Sequence, residues 1–293
     1  MWNTSTPSEK ATLAFLAWMV LLLLPFAAHD SWALMWLAGD GALLCTVIAA
    51  SQYGRSWMRP LAGLWIVLPL AYNQAGNYGT RLIPSVEPVL IWVDRHWFGM
   101  NWALRHPAAS SGWSSLLEAV YLGNYLFVFG IVTIWVMVRG NPRLLRAVEG
   151  ALITGLLSCY ALYPVLPAIT PRLYFAQLVT APAAGTWRWL NGIALAHGSV
   201  PWGILPSGHV AGPIAVACTL LYYRQRLWGG MALAYGVLVA VSVVHGDYHF
   251  VCDSLAGILV GMTASAVVIA QMKGARRRPV RIESEEAELA QAA

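Results

Sequence analysis

Long apolar runs recur along most of this chain and alternate with shorter polar stretches. Eight of these runs approach the ~20 residues that a helix needs to cross a bilayer. They lie at about residues 11–28, 31–50, 58–72, 118–138, 144–166, 207–223, 227–244 and 250–272. The pattern predicts an all-α fold, a polytopic membrane helix bundle of about eight transmembrane helices. The first run also has features of a signal peptide, but we expect a retained span, because a multispanning protein needs no cleaved signal.

Two polar stretches between the runs are too long to be simple turns. Residues 76–117 mix tryptophan with charged side chains and proline, which is typical of interfacial helices that lie on a bilayer. Such a segment could guide a lipid head group to a site, or could simply cover the bundle. Residues 167–205 are expected to form a long outer loop. The predicted organisation is N-terminal transmembrane helices at 1–75, the interfacial segment at 76–117, a second membrane domain at 118–272 and a disordered cytoplasmic tail at 273–293.

The composition supports a membrane protein. Of the 293 residues, 58% are hydrophobic and only 11% are charged, less than half of the roughly 25% of a soluble domain. The mean hydropathy is +0.59. The net charge of +5 does not indicate a nucleic-acid partner, because the basic residues are concentrated in short loops and in the tail. The four cysteines fall in apolar runs without metal-ligand spacing, so we expect neither a disulfide framework nor a metal site.

Asp40 is an acidic residue in the middle of the second run, between two glycines. It could be a proton or substrate contact inside the bundle. It could also be a carboxyl group that bonds to a neighbouring helix, with the glycines allowing close approach. We favour the second interpretation, because nothing else in the sequence pairs with this carboxyl group.

Two short polar motifs stand where late apolar runs begin: P-S-G-H at residues 206–209 and H-F-V-C-D at residues 249–253. A Pro-Ser-Gly start predicts a helix N-terminus, whose free N–H groups and positive dipole end favour a phosphate. His249 and Asp253 would share one face of a helix, so that the carboxylate could hold the imidazole in one tautomer. Two imidazoles, His209 and His249, could then act as nucleophile and general acid. The alternative is that both motifs are polar helix caps, but ionisable groups at membrane helices are usually functional.

These motifs resemble those of the type 2 phosphatidic acid phosphatase superfamily, in which P-S-G-H is followed by H-x-x-x-D. The surrounding sequences, GILPSGHVAGPIAVA and HGDYHFVCDSLAG, are most similar to its inositol phosphorylceramide synthase branch. The resemblance covers about residues 85–265 and makes 118–272 the catalytic membrane domain. It implies that His249 becomes phosphorylated, that Asp253 orients it, and that His209 protonates the leaving group. It also implies that Ser207 and Gly208 bind phosphate oxygens.

The sequence departs from the superfamily pattern at two places. Ser242 is followed by Val243, where the pattern has Ser-Arg, and the Lys-x6-Arg-Pro motif is absent. The best substitute for its arginine is Arg172, which follows the fifth apolar run and could grip two phosphate oxygens. Three further side chains could contact phosphate or an acceptor: His245, Arg188 and His197.

The resemblance implies an enzyme that attacks a membrane lipid phosphoester through a phosphohistidine, with no cofactor and no metal. Near the motifs the only carboxylates are Asp247 and Asp253, too few for a divalent ion. Water as acceptor would make a lipid phosphate phosphatase, and an alcohol acceptor such as inositol would make a phosphotransferase. A lipid carrier or channel on the same scaffold is the alternative from another class, and it would tolerate loss of the histidines.

The distribution of basic residues predicts the orientation in the membrane. With an even number of spans, thirteen of the 18 lysines and arginines fall in short loops and tails on one side. We therefore expect an inner-membrane protein with both termini cytoplasmic. Arg172, His209 and His249 would then meet on the periplasmic or lumenal side, where a lipid donor already in the membrane could reach them.

Overall fold

The computed structural model describes residues 6–53, 61–102, 112–138, 140–176 and 185–276. Within these ranges the chain forms helices and connecting segments, without a strand, which confirms the all-α prediction. The helices are α1 Pro7–Leu23, α2 Ser31–Tyr53, α3 Leu68–Gly76, α4 Glu87–Phe98, α5 Gly112–Tyr125, α6 Val132–Val138, α7 Pro142–Leu162, α8 Pro171–Tyr174, α9 Thr186–Gly198, α10 Gly208–Tyr222, α11 Arg226–His245 and α12 Val251–Arg276. A π-helical segment, Gly63–Val67, leads into α3, and another, Leu126–Ile131, joins α5 to α6.

Five helical segments of the described chain are long and apolar enough to cross a membrane, and the bent pair α5–α6 would make a sixth. The five are Pro7–Phe26, Ser31–Ala49, Pro142–Leu162, Arg226–His245 and Val251–Gly274. The polytopic membrane bundle is therefore confirmed, but the count of eight is not. The sixth expected span is α10, which has 15 residues and is about 22 Å long, shorter than a ~30 Å hydrocarbon core. The third expected span corresponds to residues 61–76, and its start at 58–60 lies outside the described residues.

Other boundaries also differ from the prediction. The expected outer loop at 167–205 contains α8 and the 13-residue helix α9. Helix α12 continues to Arg276, four residues into the expected tail. The remaining tail, 277–293, lies outside the described residues, as do 103–111 of the interfacial segment.

Helix α7 is buried along most of its length and forms the centre of the bundle. It packs against α10 and α12, which lie side by side. Gly257 and Gly261 of α12 face the carbonyl oxygens of Ser207 and Ala211, and a Cβ at either glycine would lie 2.5 Å from that oxygen. These glycines therefore allow the two helices to approach closely. It brings the first turns of α10 and α12 together.

The start of the first described helix, α1, and the end of the last, α12, lie at the same end of the bundle. The start of α1 lies beside α7 and α12, where Pro7 and Val268 both lie close to Gly150. Farther along, the Nε1 of Trp18 donates to the carbonyl of Ala161, so α1 and α7 run in the same direction. The motif residues at the starts of α10 and α12 therefore lie at the opposite end from both termini of the described chain.

Asp40 of α2 has a partner that the sequence does not reveal. Its Oδ2 accepts a hydrogen bond of 3.0 Å from the Nε2 of Gln74 in α3, and both residues are buried. A buried polar group is stable only when it is hydrogen-bonded. The contact therefore supports the structural interpretation, in which this carboxyl group joins two helices.

Candidate active site

The imidazole of His249 is fixed by Asp253. Helix α12 begins two residues after His249, yet the Nδ1 of His249 lies 3.0 Å from the Oδ1 of Asp253. The other carboxylate oxygen of Asp253 accepts from the backbone N–H of Phe250, the residue that precedes the helix. Both side chains are buried, at 3% and 0% exposed. A proton on Nδ1 that donates to the carboxylate leaves the lone pair on Nε2, which is the nitrogen suited to nucleophilic attack.

The P-S-G-H motif forms the N-terminus of α10, as its composition predicts. Ser207 is the N-cap residue and its side chain makes no capping hydrogen bond. Its backbone N–H donates to the carbonyl of Asp253 at 3.2 Å, so the two motifs are joined directly. Ser207 is fully buried, and its Oγ has no hydrogen-bond partner among the described residues. Gly208, the first residue of α10, packs against Tyr160 and Tyr163.

His209 lies next to His249. The two ring centroids are 5.6 Å apart and the rings meet edge to face. On its other side His209 stacks on Tyr121 at 4.9 Å, and Tyr121 stacks in turn on Tyr248 at 4.0 Å. This stack holds the ring of His209 beside the His249–Asp253 pair.

Arg172 is placed at the same site through its backbone. Its N–H donates to the carbonyl of Asp247 at 3.0 Å, two residues before His249. Its guanidinium interacts electrostatically with Tyr121 and Tyr248, and burial lowers the pKa of Arg172 from its ordinary value while these tyrosines act in the opposite direction. The Nε of Arg172 is buried and makes no hydrogen bond within the part of the chain that the structure describes. A buried donor of this kind is suited to an anionic ligand.

Arg188 has a different role from Arg172, because Glu118 binds it. The Nη1 of Arg188 lies 2.8 Å from the Oε1 of Glu118 and donates to the carbonyl of Gly246 at 2.7 Å. The Oε2 of Glu118 accepts from the hydroxyl of Tyr248 and from the amide of Asn191, each at 2.6 Å. Burial alone would lower the pKa of Arg188, but Tyr248 and Glu118 raise it overall. One buried carboxylate thus ties α5 and α9 to the turn that precedes His249.

The two remaining candidates lie farther from the centre. The Nε2 of His245 lies 3.1 Å from the Oγ of Ser114 at the start of α5. His197 is exposed, and its Nδ1 lies 2.9 Å from the carbonyl of Ile193 in its own helix. The structure therefore brings together His209, His249, Asp253, Ser207, Gly208 and Arg172. It places His245 against α5, and it places His197 outside the site.

A small pocket of about 20 Å³ adjoins His209. Its lining is rich in polar aromatic side chains: Tyr72, Tyr160 and Tyr163. Asn124 also lines the pocket and donates to the carbonyl of His209 at 3.3 Å. Among the residues that the structure describes, no group of three His, Cys, Asp or Glu side chains is placed to hold a metal ion.

The model of the PAP2 superfamily, the type 2 phosphatidic acid phosphatases, matches residues 89–267, well over half of the chain. The chain belongs to the PAP2 superfamily. No curated protein and no solved structure matches it. PAP2 membership and the apolar helices together fit a membrane lipid phosphatase or phosphotransferase. The matched region begins in α4 and includes both motifs. All six residues that the structure brings together therefore lie within the matched region.

Proposed function

We propose that this PAP2 protein is a metal-independent lipid phosphatase or phosphotransferase that works through a phosphohistidine. The observation that carries the proposal is the arrangement of His249, whose Nδ1 is held by buried Asp253 and whose ring lies against His209. A nucleophile oriented by a carboxylate and next to a second titratable ring is the arrangement that nucleophilic catalysis needs. A lipid carrier or channel does not require it.

In the first step, the Nε2 lone pair of His249 attacks phosphorus, and an N–P bond forms while the P–O bond to the lipid alcohol breaks. His209 gives its proton to the departing alkoxide. In the second step, His209 takes a proton from the acceptor hydroxyl, whose oxygen attacks the phosphohistidine and releases neutral His249. Asp253 stabilises the positive charge that develops on the His249 ring.

The phosphate oxygens need donors that stay fixed while charge moves. We assign this role to the Oγ of Ser207, the guanidinium of Arg172 and the N–H groups at the start of α10. Gly208 has no side chain, so the phosphate can approach the helix backbone. His245 contacts Ser114, and we propose for it at most an outer role in holding phosphate.

The acceptor decides between hydrolysis and transfer. Water would give an alcohol and free phosphate, and an alcohol would give a phosphodiester. The sequence around the two motifs supports an inositolphosphotransferase, the second candidate. Tyr72, Tyr163 and Asn124 line the pocket beside His209, whose volume of about 20 Å³ has room for an acceptor the size of a water molecule.

The test is turnover of purified protein in detergent with a panel of lipid phosphates, each with and without inositol. Free phosphate indicates a phosphatase, and a new phosphodiester indicates a phosphotransferase. His249→Ala should be inactive, whereas His29→Ala, a change at an exposed histidine that belongs to neither motif, should retain activity. Activity should survive EDTA. Loss on chelation that magnesium restores, or an active and folded His249→Ala protein, would contradict the proposal.

A further inference from the structure

Helix α4 carries two buried carboxylates on the face that packs into the protein. Glu87 and Asp94 are 1% and 0% exposed. They are seven residues apart, about two helical turns, and therefore lie on one face. Other positions of the helix bear exposed side chains, among them Trp92 and Trp97. The inner face of this helix is therefore tied to the rest of the molecule.

Asp94 caps the N-terminus of α12. Its Oδ2 accepts from the backbone N–H of Val251 at 2.7 Å and from the Nε1 of Trp102 at 2.9 Å. Its Oδ1 accepts from the N–H of Cys252 at 2.9 Å. The first N–H groups of a helix have no partner within the helix, and a carboxylate there also interacts favourably with the dipole. Asp94 therefore fixes the start of the helix that carries Asp253.

Glu87 holds the segment that leads to Arg172. Its Oε1 accepts from the backbone N–H of Ile169 at 2.6 Å. Next to it, the N–H of Val86 donates to the carbonyl of Pro167 at 2.9 Å. Three residues after Ile169 the chain reaches Arg172. Glu87 therefore holds the backbone three residues before the proposed phosphate-binding arginine.

An apolar cluster fills the space between these two attachments. Leu90 of α4 lies between Glu87 and Asp94, and it belongs to a buried cluster that includes Ala168, Phe250 and Trp102. The rings of Trp102 and Phe250 meet edge to face at 5.3 Å. Close packing of this kind resists relative movement. Helix α4 therefore joins both segments as one rigid unit.

We infer that Glu87 and Asp94 are positioning residues, which set the distance between the phosphate held by Arg172 and the attacking nitrogen of His249. Neither touches the substrate, and both act through backbone N–H groups. The inference rests on the proposed function. A misplacement of about 1 Å between reacting groups can cost on the order of 10²-fold in rate, so small changes at α4 should be measurable.

The two carboxylates should affect different kinetic constants. Asp94→Asn replaces one acceptor oxygen by an NH2 group that faces a helix N–H. It should lower kcat about 10- to 100-fold with KM within about threefold, because α12 carries Asp253 and begins two residues after His249. Glu87→Met keeps the length of the side chain but removes the acceptor, and should raise KM about tenfold. Glu87→Gln retains an acceptor for the N–H of Ile169, and its KM should therefore be close to that of the wild-type protein.

Both constants are measured with the lipid phosphate that the panel shows to be turned over fastest, and Arg95→Gln on the exposed face of α4 is the matched control. If Asp94→Asn does not purify as a monodisperse protein, Trp102→Phe removes one donor to Asp94 and keeps an aromatic ring against Phe250. It should lower kcat several-fold.

Two results would overturn the inference while the proposed function stands. One is that Asp94→Asn and Glu87→Met lower the melting temperature but leave kcat and KM at the values of the Arg95→Gln control. The other is that each variant changes kcat and KM to a similar extent, so that Asp94 does not act mainly on kcat and Glu87 does not act mainly on KM. A wild-type protein with no turnover dependent on His249 would instead refute the proposed function, and this inference with it.

Discussion

At the scale of single residues, the hydrogen bonds of the site determine which atoms remain available for chemistry. Asp253 engages the Nδ1 of His249, so Nε2 is left for attack. Glu118 engages Arg188, whereas the buried Nε of Arg172 has no hydrogen bond within the described ranges. The two arginines of the expected outer loop are thus distinguished by their partners. Arg172 is the one suited to a substrate phosphate.

Replacement of Arg172 by lysine tests this distinction. We expect kcat/KM to fall about 10- to 100-fold, because an ammonium cannot grip two phosphate oxygens as a planar guanidinium does, and a charge-assisted hydrogen bond contributes about 1.5–3 kcal/mol. The measurement is steady-state turnover, with Arg95→Lys on the exposed face of α4 as control. Unchanged kcat/KM in the Arg172→Lys protein would show that phosphate is held elsewhere.

At the scale of elements, the site is held by contacts between helices that are distant in sequence. Glu118 of α5 receives hydrogen bonds from Arg188 and Asn191 of α9 and from Tyr248 of the turn before His249. Three separate segments therefore depend on one buried carboxylate. Removal of one partner of such a network leaves buried groups unsatisfied, and this is more costly than the loss of an exposed ion pair.

We expect Glu118→Ala to lower the free energy of unfolding by about 3–5 kcal/mol, since it leaves buried Asn191 and Tyr248 and the partly buried Arg188 cation without their partner. The exposed pair Arg81–Asp30 supplies the control, where Arg81→Gln should cost no more than about 1 kcal/mol. Thermal unfolding of the detergent-purified proteins compares the two. Equal melting temperatures for both variants would contradict the structural role of the Glu118 network.

Local spacing was enough to predict part of this site. A Pro-Ser-Gly start predicted the N-terminus at Ser207, and a four-residue separation predicted the pairing of His249 with Asp253, because both features depend on adjacent turns of chain. The contacts of Asp94 with α12 and of Glu118 with Tyr248 join residues 157 and 130 positions apart. No periodicity reveals such pairs. Helix α9 was missed as well, because its short apolar pattern lies among glycine and proline that indicate a loop.

At the scale of the whole molecule, the bundle separates the site from the chain ends. The starts of α10 and α12 hold the motif residues, while the start of α1 and the end of α12 lie at the opposite end. The sequence predicts that thirteen of the 18 basic residues lie in short loops and tails on the same side as the termini. Both observations support a site that faces away from the cytoplasm.

A reporter fused after Ala293 tests the orientation. A fusion protein that is active only in the cytoplasm, such as a fluorescent protein that does not fold after export, should give a signal. A second reporter, active only on the other side, should be silent at the same position. A periplasmic or lumenal tail would contradict the orientation and would place the site on the cytoplasmic face.

The most direct test of the central claim is detection of phosphate on His249 during turnover. Purified protein is mixed with a lipid labelled in its phosphate, quenched in alkali after a short reaction, and examined for label on the polypeptide. Wild type and His29→Ala should carry a label that is stable to alkali and released by acid, as expected for phosphohistidine. His249→Ala should carry none, and the turnover of His249→Ala and of His209→Ala should each fall by about 10³-fold or more. A folded His249→Ala protein that still carries the label, or that turns over at the wild-type rate, would contradict the account.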